Sequence, residues 1–146
     1  MENVILQMVE YGSHLQLKSV ELRTKVLRAP LGLVYTTEQL AAEKDEVHIV
    51  ATIGDKVAGV LLLKIAAPSV LKMRQVAVDP ALQHSGIGSK LVAFAEQYAS
   101  AHGYVEIELH ARDAAKVFYL KAGYRIVGDV FTEVGLPHYE MKKNLR

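Results

Sequence analysis

Residues 76–91, Val-Ala-Val-Asp-Pro-Ala-Leu-Gln-His-Ser-Gly-Ile-Gly-Ser-Lys-Leu, oblige the chain to pass from a strand into a helix through a short loop. The apolar run stops at Asp79-Pro80, where proline cannot donate to a ladder and turns the chain. Gly86 and Gly88 carry no β-carbon, so backbone there can approach a ligand closely. A helix opening at residue 86 adds unpaired first-turn amides and the positive end of the helix dipole. Such a place attracts phosphate, although it also reads as a tight turn whose glycines serve backbone angles alone. Gln83, Ser89 and Lys90 add polar groups around the glycines. Residues 83–88 fit neither a P-loop, which needs Lys-Ser/Thr after its last glycine, nor a dinucleotide fingerprint with its third glycine.

Around this junction, hydrophobic spacing orders the rest of the chain. Residues 4–9 read as a strand, and residues 14–28 as a helix with Leu15, Leu22 and Val26 on one stripe, stopped by Ala29-Pro30-Leu31-Gly32. Thr36 or Thr37 caps a shorter helix to about residue 44. Val47, Ile49, Ala51 and Ile53 alternate, and with Gly54-Asp55 and the apolar run 57–67 they predict a hairpin. A strand at 70–78 follows the Pro68-Ser69 break. A helix over about 86–101 aligns Ile87, Leu91, Phe94 and Tyr98. Then come a strand through Val105, Ile107 and Leu109, a helix over about 112–121 closed by Gly123, and strands at about 124–133 and 138–142. The order β-α-α-β-β-β-α-β-α-β-β predicts an α+β fold, with a mixed, mostly antiparallel sheet of six to seven strands and helices on both faces. At 146 residues, with no repeat or linker, residues 1–146 read as a single domain.

Composition removes other classes. With 17 basic and 16 acidic residues the formal charge is +1, so neither nucleic acid nor an anionic membrane is an expected partner, and any anion site must be local. The absence of cysteine excludes disulfides, thiolate metal sites and cysteine nucleophiles. The amino terminus carries an acid instead of a basic n-region, and no apolar run approaches the ~18 residues of a membrane span. A cytoplasmic protein is expected.

Gln83-His84-Ser85-Gly86-Ile87-Gly88 resembles the acyl-CoA pyrophosphate loop of the GNAT superfamily of N-acyltransferases, Gln/Arg-x-x-Gly-x-Gly/Ala after a strand and opening a long helix. That resemblance implies that the amides of His84, Ser85, Gly86, Ile87, Gly88 and Ser89 bind the pyrophosphate of coenzyme A. It further implies that the backbone of Val76, Ala77 and Val78 pairs with the pantetheine arm as an added strand would. A second, independent segment, Ala115-Lys116-Val117-Phe118-Tyr119-Leu120-Lys121-Ala122-Gly123-Tyr124, is similar to the family's Ala-x-x-Phe-Tyr-x-x-x-Gly-Phe/Tyr signature. Together the likeness covers about residues 47–141. It implies acetyl-CoA as cosubstrate, no metal, a small-molecule or peptide amine as acceptor, and a homodimer as a common assembly among similar proteins.

By resemblance Tyr119 is the general acid that protonates the departing thiolate; by helical spacing it also belongs to a core stripe with Ala115, Phe118 and Ala122. Where the family often has asparagine this chain has Arg112, either a cofactor contact through its fork or a surface charge in the first turn of a helix. Residues 71–76 hold no acid to act as base. Glu106, Glu108 and His110 alternate on one strand face, and His138 follows Pro137; each is a candidate base or a solvated side chain. The tail 131–141 is similar to a Glu-x-Gly-x-Pro-His-x-x-Met run of one bacterial branch. Glu133 or His138 would then receive a cationic amine; alternatively Gly135 and Pro137 make a hairpin turn. The leading expectation is an N-acetyltransferase acting by direct attack on acetyl-CoA, with Tyr119 and His138 catalytic. A catalytically silent acyl-CoA sensor and a nucleotide-phosphate binder stand as rivals.

Overall fold

In the computed structural model, which describes residues 3–146, the elements are β1 (Val4–Val9), α1 (His14–Arg23), α2 (Thr37–Ala41), β2 (Val47–Ile53), β3 (Lys56–Ala67) and β4 (Val70–Val78). They continue as α3 (Ile87–Ala101), β5 (Glu106–Arg112), α4 (Lys116–Lys121), β6 (Arg125–Glu133) and β7 (Leu136–Asn144). This is the order expected from the sequence. The strands form one seven-stranded sheet in the order β1-β2-β3-β4-β5-β7-β6. The β4–β5 pair is parallel; β1–β2, β2–β3, β5–β7 and β6–β7 are antiparallel. The chain divides into two compact units, residues up to 64 with 75–95, and residues 65–74 with 96–146, so β4 and α3 each contribute to both.

In the first unit, β2 and β3 are buried on consecutive residues, which means both their faces are covered. On one face Leu22 of α1 packs with Val50, Val57, Val60, Leu62 and Ala77, joined by Leu15, Val26 and Leu27. That is the predicted stripe. The helix carrying it does not run unbroken to residue 28, however: after Arg23 it widens into a π-helical turn, Thr24–Arg28, and a 3₁₀ turn, Ala29–Leu31, before Gly32 closes it at φ 70°. On the other face Gly59 lies against Leu91 and Ile87. In α3 the fully buried positions are Ile87, Leu91, Val92, Ala95 and Ala99, while the expected Phe94 and Tyr98 are only half-buried flanks. The buried stripe of the helix therefore runs through Ala95 and Ala99. Thr36 caps α2, its hydroxyl accepting from the Gln39 amide at 3.1 Å while Gln39 Oε1 accepts from the Thr36 amide at 2.9 Å.

In the second unit β5 alternates as predicted, with Ile107, Leu109 and Ala111 buried and Glu106, Glu108, His110 and Arg112 on the opposite face. Arg112 ends this strand and does not begin a helix. The expected helix over 112–121 is a 3₁₀ turn, Asp113–Ala115, followed by six residues of α4. Gly123 follows it at φ 95°, as a left-handed residue after a helix requires. Lys143 Nζ then donates to Ala122 O at 2.8 Å and to Glu96 Oε1 at 3.0 Å, and the Tyr124 hydroxyl donates to Glu96 Oε2 at 2.9 Å. The Gly-Tyr pair closing the second motif is therefore structural. Val134 and Gly135 make the β6–β7 turn at φ 45° and 75°. Pro137, expected in that turn, lies instead within β7 opposite Thr132.

Candidate active site

The first unit holds the phosphate-type loop. Asp79 anchors its start. Its amide donates to Ala58 O at 2.8 Å, Oδ1 accepts from the Ala81 amide at 2.9 Å, and Oδ2 meets Lys56 Nζ at 3.0 Å. The Ala81 amide, then Lys56, hold this buried carboxyl below the usual aspartate range. The exposed Gln83 side chain, expected at a ligand, braces the loop internally by donating to Val78 O at 3.3 Å. The Ser85 amide is likewise engaged, donating to Leu82 O at 3.3 Å. The helical ladder begins where the Lys90 amide donates to Gly86 O at 3.1 Å, so Gly86, Ile87, Gly88 and Ser89 have no helical carbonyl to bond. His84 and Gly86 take φ 69° and 87°, and a β-carbon on Gly86 would meet nothing within 4 Å. An open row of amides at the mouth of a fifteen-residue helix suits a diphosphate.

Just before the loop, β4 carries a feature that sequence reasoning missed. Gln75 sits at φ 57° in mid-strand, a left-handed conformation that a non-glycine residue rarely adopts. The β4–β5 ladder runs from Val70↔Glu106 to Met73↔Leu109 and stops two residues short of this kink. Beyond it come Val76, Ala77 and Val78, whose backbone has no ladder to β5. The Gln75 side chain is tethered, its Oε1 accepting from the Tyr35 hydroxyl. Glutamine has no special affinity for positive φ, so no local signal in the sequence marked it.

The second unit holds Tyr119. It is 6% exposed, and its ring meets Phe118 and Tyr124 edge-on at centroid distances of 5.0 and 5.8 Å. It lies in the core stripe, and burial pushes its phenol up, keeping the proton on the oxygen at all ordinary pH. Elsewhere in this unit Glu133 stands between two imidazoles, with His110 Nδ1 at 3.0 Å from Oε1 and His138 Nε2 at 3.6 Å from Oε2. His138 is buried, and its Nδ1–H donates to Leu136 O at 2.9 Å, which leaves Nε2 as the basic nitrogen of the neutral ring. Arg112 is its register partner across β5 and β7. Glu106 and Glu108 lie on the same strand face, but Lys142 stands 4.0 and 3.9 Å from them, and Arg125 also meets Glu106 at 3.6 Å. Both carboxylates are thus engaged in ion pairs with neighbouring cations. No cluster of three or more potential metal ligands occurs among the described residues.

A strand released from its neighbour, followed by an amide-lined loop that opens a long helix, is the apparatus of an acyl-CoA-dependent acyltransferase. The acetyltransferase (GNAT) domain profile matches residues 32–145, and the chain belongs to that family. It is 28% identical over 103 residues to the uncharacterized N-acetyltransferase YjcF of Bacillus subtilis, covering 70% of this chain and 73% of that one. In fold it matches an N-acetyltransferase-type protein of Lactobacillus plantarum at TM-score 0.86 and 24% identity, over 99% of this chain and 98% of the other. It also matches an aminoglycoside 6′-N-acetyltransferase complexed with coenzyme A at TM-score 0.81 and 15% identity, over 97% of each chain.

Proposed function

We propose that residues 1–146 act as one cytoplasmic N-acetyltransferase domain that moves the acetyl group of acetyl-CoA to a primary amine by direct attack. The observation that carries this reading is the open amide row of residues 86–89 following the backbone of Val76–Val78, which has no ladder to β5. The amides hold the pyrophosphate. The strand backbone takes the pantetheine amides, and an amide near Ala77 polarises the thioester carbonyl. The acceptor nitrogen bonds to the carbonyl carbon and passes its proton to a base, for which His138 Nε2 is the best-prepared group, oriented by Leu136 O and faced by Glu133. The C–S bond then breaks and the thiolate takes a proton from Tyr119. A phenol that burial keeps protonated suits a donor. Arg112, beside His138 in the register, supplies a cation for the donor or acceptor.

Thiol release from acetyl-CoA, measured against a panel of primary amines, tests this reading. Turnover with at least one amine is expected. Tyr119→Phe should lower kcat by about a hundredfold or more at saturating acetyl-CoA with little change in donor affinity. Unchanged turnover would remove Tyr119 from the mechanism.

A further inference from the structure

One tyrosine in the first unit carries two arginines. The guanidinium carbons of Arg23 and Arg28 each lie 4.6 Å from the Tyr35 ring centroid. Arg23 is fully buried and spent within the fold, binding Glu43 by two parallel bonds of 2.8 and 2.6 Å. Arg28 differs. It is half-buried, and among the described residues no carboxylate is paired with it. It ends the π-helical turn Thr24–Arg28, a kind of irregularity that recurs at functional sites, and the Leu33 amide donates to its carbonyl at 3.0 Å. Stacking on an aromatic ring fixes the plane of a guanidinium while leaving its N–H edge available as a fork that matches a carboxylate. The same Tyr35 reaches the kink of β4 through its hydroxyl bond to Gln75, the residue before Val76.

We propose that Arg28 is a specificity-determining residue that receives a carboxylate on the acceptor, so that the substrate class is a primary amine bearing an anionic carboxyl group: an amino acid or a short peptide. This rests on the acetyl-transfer reading above and narrows it. Arg28 grips the carboxylate, Tyr35 holds the guanidinium over its ring, and Gln75 ties that tyrosine to the strand on which the thioester lies. The acceptor is thereby registered against the acyl group from its charged end, leaving its amine unencumbered.

Matched pairs decide the matter: α-amino acids, ω-amino acids and dipeptides, each assayed beside its own carboxamide by thiol release. The best acid should exceed its amide in kcat/KM by about ten- to a hundredfold, the worth of a charge-assisted forked contact. In Arg28→Gln the acid-to-amide ratio should collapse toward one, while Arg28→Lys, which keeps charge but loses the fork, should retain part of it. As a readout independent of turnover, N-acetylated acids in the presence of coenzyme A should raise the melting temperature more than their amides do. Acids and amides reacting and shifting alike in the wild type would overturn the proposal whether or not the variants fold. If amides or simple amines react while no acid is preferred, only this proposal falls. If no amine of any kind releases thiol and coenzyme A produces no thermal shift, the transfer reading falls with it.

Discussion

Gly59→Ala would test how the binding loop is held, because the one carbon it adds is directed at the start of α3. A β-carbon there would lie 2.7 Å from Leu91 Cδ1, 3.0 Å from Ile87 Cγ2 and 3.4 Å from Ala77 O. The first two distances are well inside van der Waals contact, and neither partner has room to retreat, since Leu91 is fully buried and Ile87 is 2% exposed. Overpacking of this kind costs about 1–3 kcal/mol, against which removing a strand glycine returns about 0.5–1 kcal/mol. A net loss of about 1–2 kcal/mol lowers the melting temperature by roughly 3–8 °C for a chain of this size. Ile87 opens the helix directly after Gly86, so relief of the clash moves the open amides, and KM for acetyl-CoA should rise along with the loss of stability. The control is Leu91→Ala, which removes the nearest methyl: in that background Gly59→Ala should cost little or become favourable. An equal penalty with and without the Leu91 side chain would refute the reasoning.

Two further changes probe other turns. Val134 is β-branched at φ 45° in a two-residue hairpin turn, so Val134→Asn should raise stability by about 1 kcal/mol and move the denaturant midpoint upward at constant m-value; an unmoved midpoint would count against strain there. Asp79 titrates below the ordinary aspartate range because the Ala81 amide and Lys56 favour its ionised form. Its contribution is therefore fully present above the unfolded value near about pH 4 and lost as pH falls through the lower folded value. Asp79→Asn should cost about 0.5–1 kcal/mol near neutrality, with a gap to wild type that closes in acid; a gap independent of pH would contradict it.

The element order was legible because each segment states its period plainly, as Val105, Ile107 and Leu109 do beside charged neighbours. The loop was legible because its glycines and the break at Pro80 are local necessities. What escaped reading depends on partners distant in sequence. Nothing near Gln75 announces its kink, since the group that fixes it is Tyr35, forty residues earlier. Phe94 and Tyr98 satisfied helical spacing, yet the buried stripe of α3 runs through Ala95 and Ala99, since which face of a helix is covered depends on the elements it meets. The hydrogen bond by which Gln83 reaches back to Val78 O was likewise unannounced. For Tyr119 the core expectation is met, and the same burial secures the proton on its phenol.

The interrupted ladder of β4 has a consequence for the life of the protein outside catalysis. Backbone groups left unmatched within a sheet are an invitation to any extended chain that carries amides. On the docking proposed above, pantetheine answers that invitation, and only for as long as it stays. Donor binding then completes the architecture, adding about 2.7 kcal/mol to stability when the free ligand exceeds its dissociation constant a hundredfold. Starved of acyl-CoA, the enzyme would be softer as well as idle, so that its persistence follows the supply of the molecule it consumes.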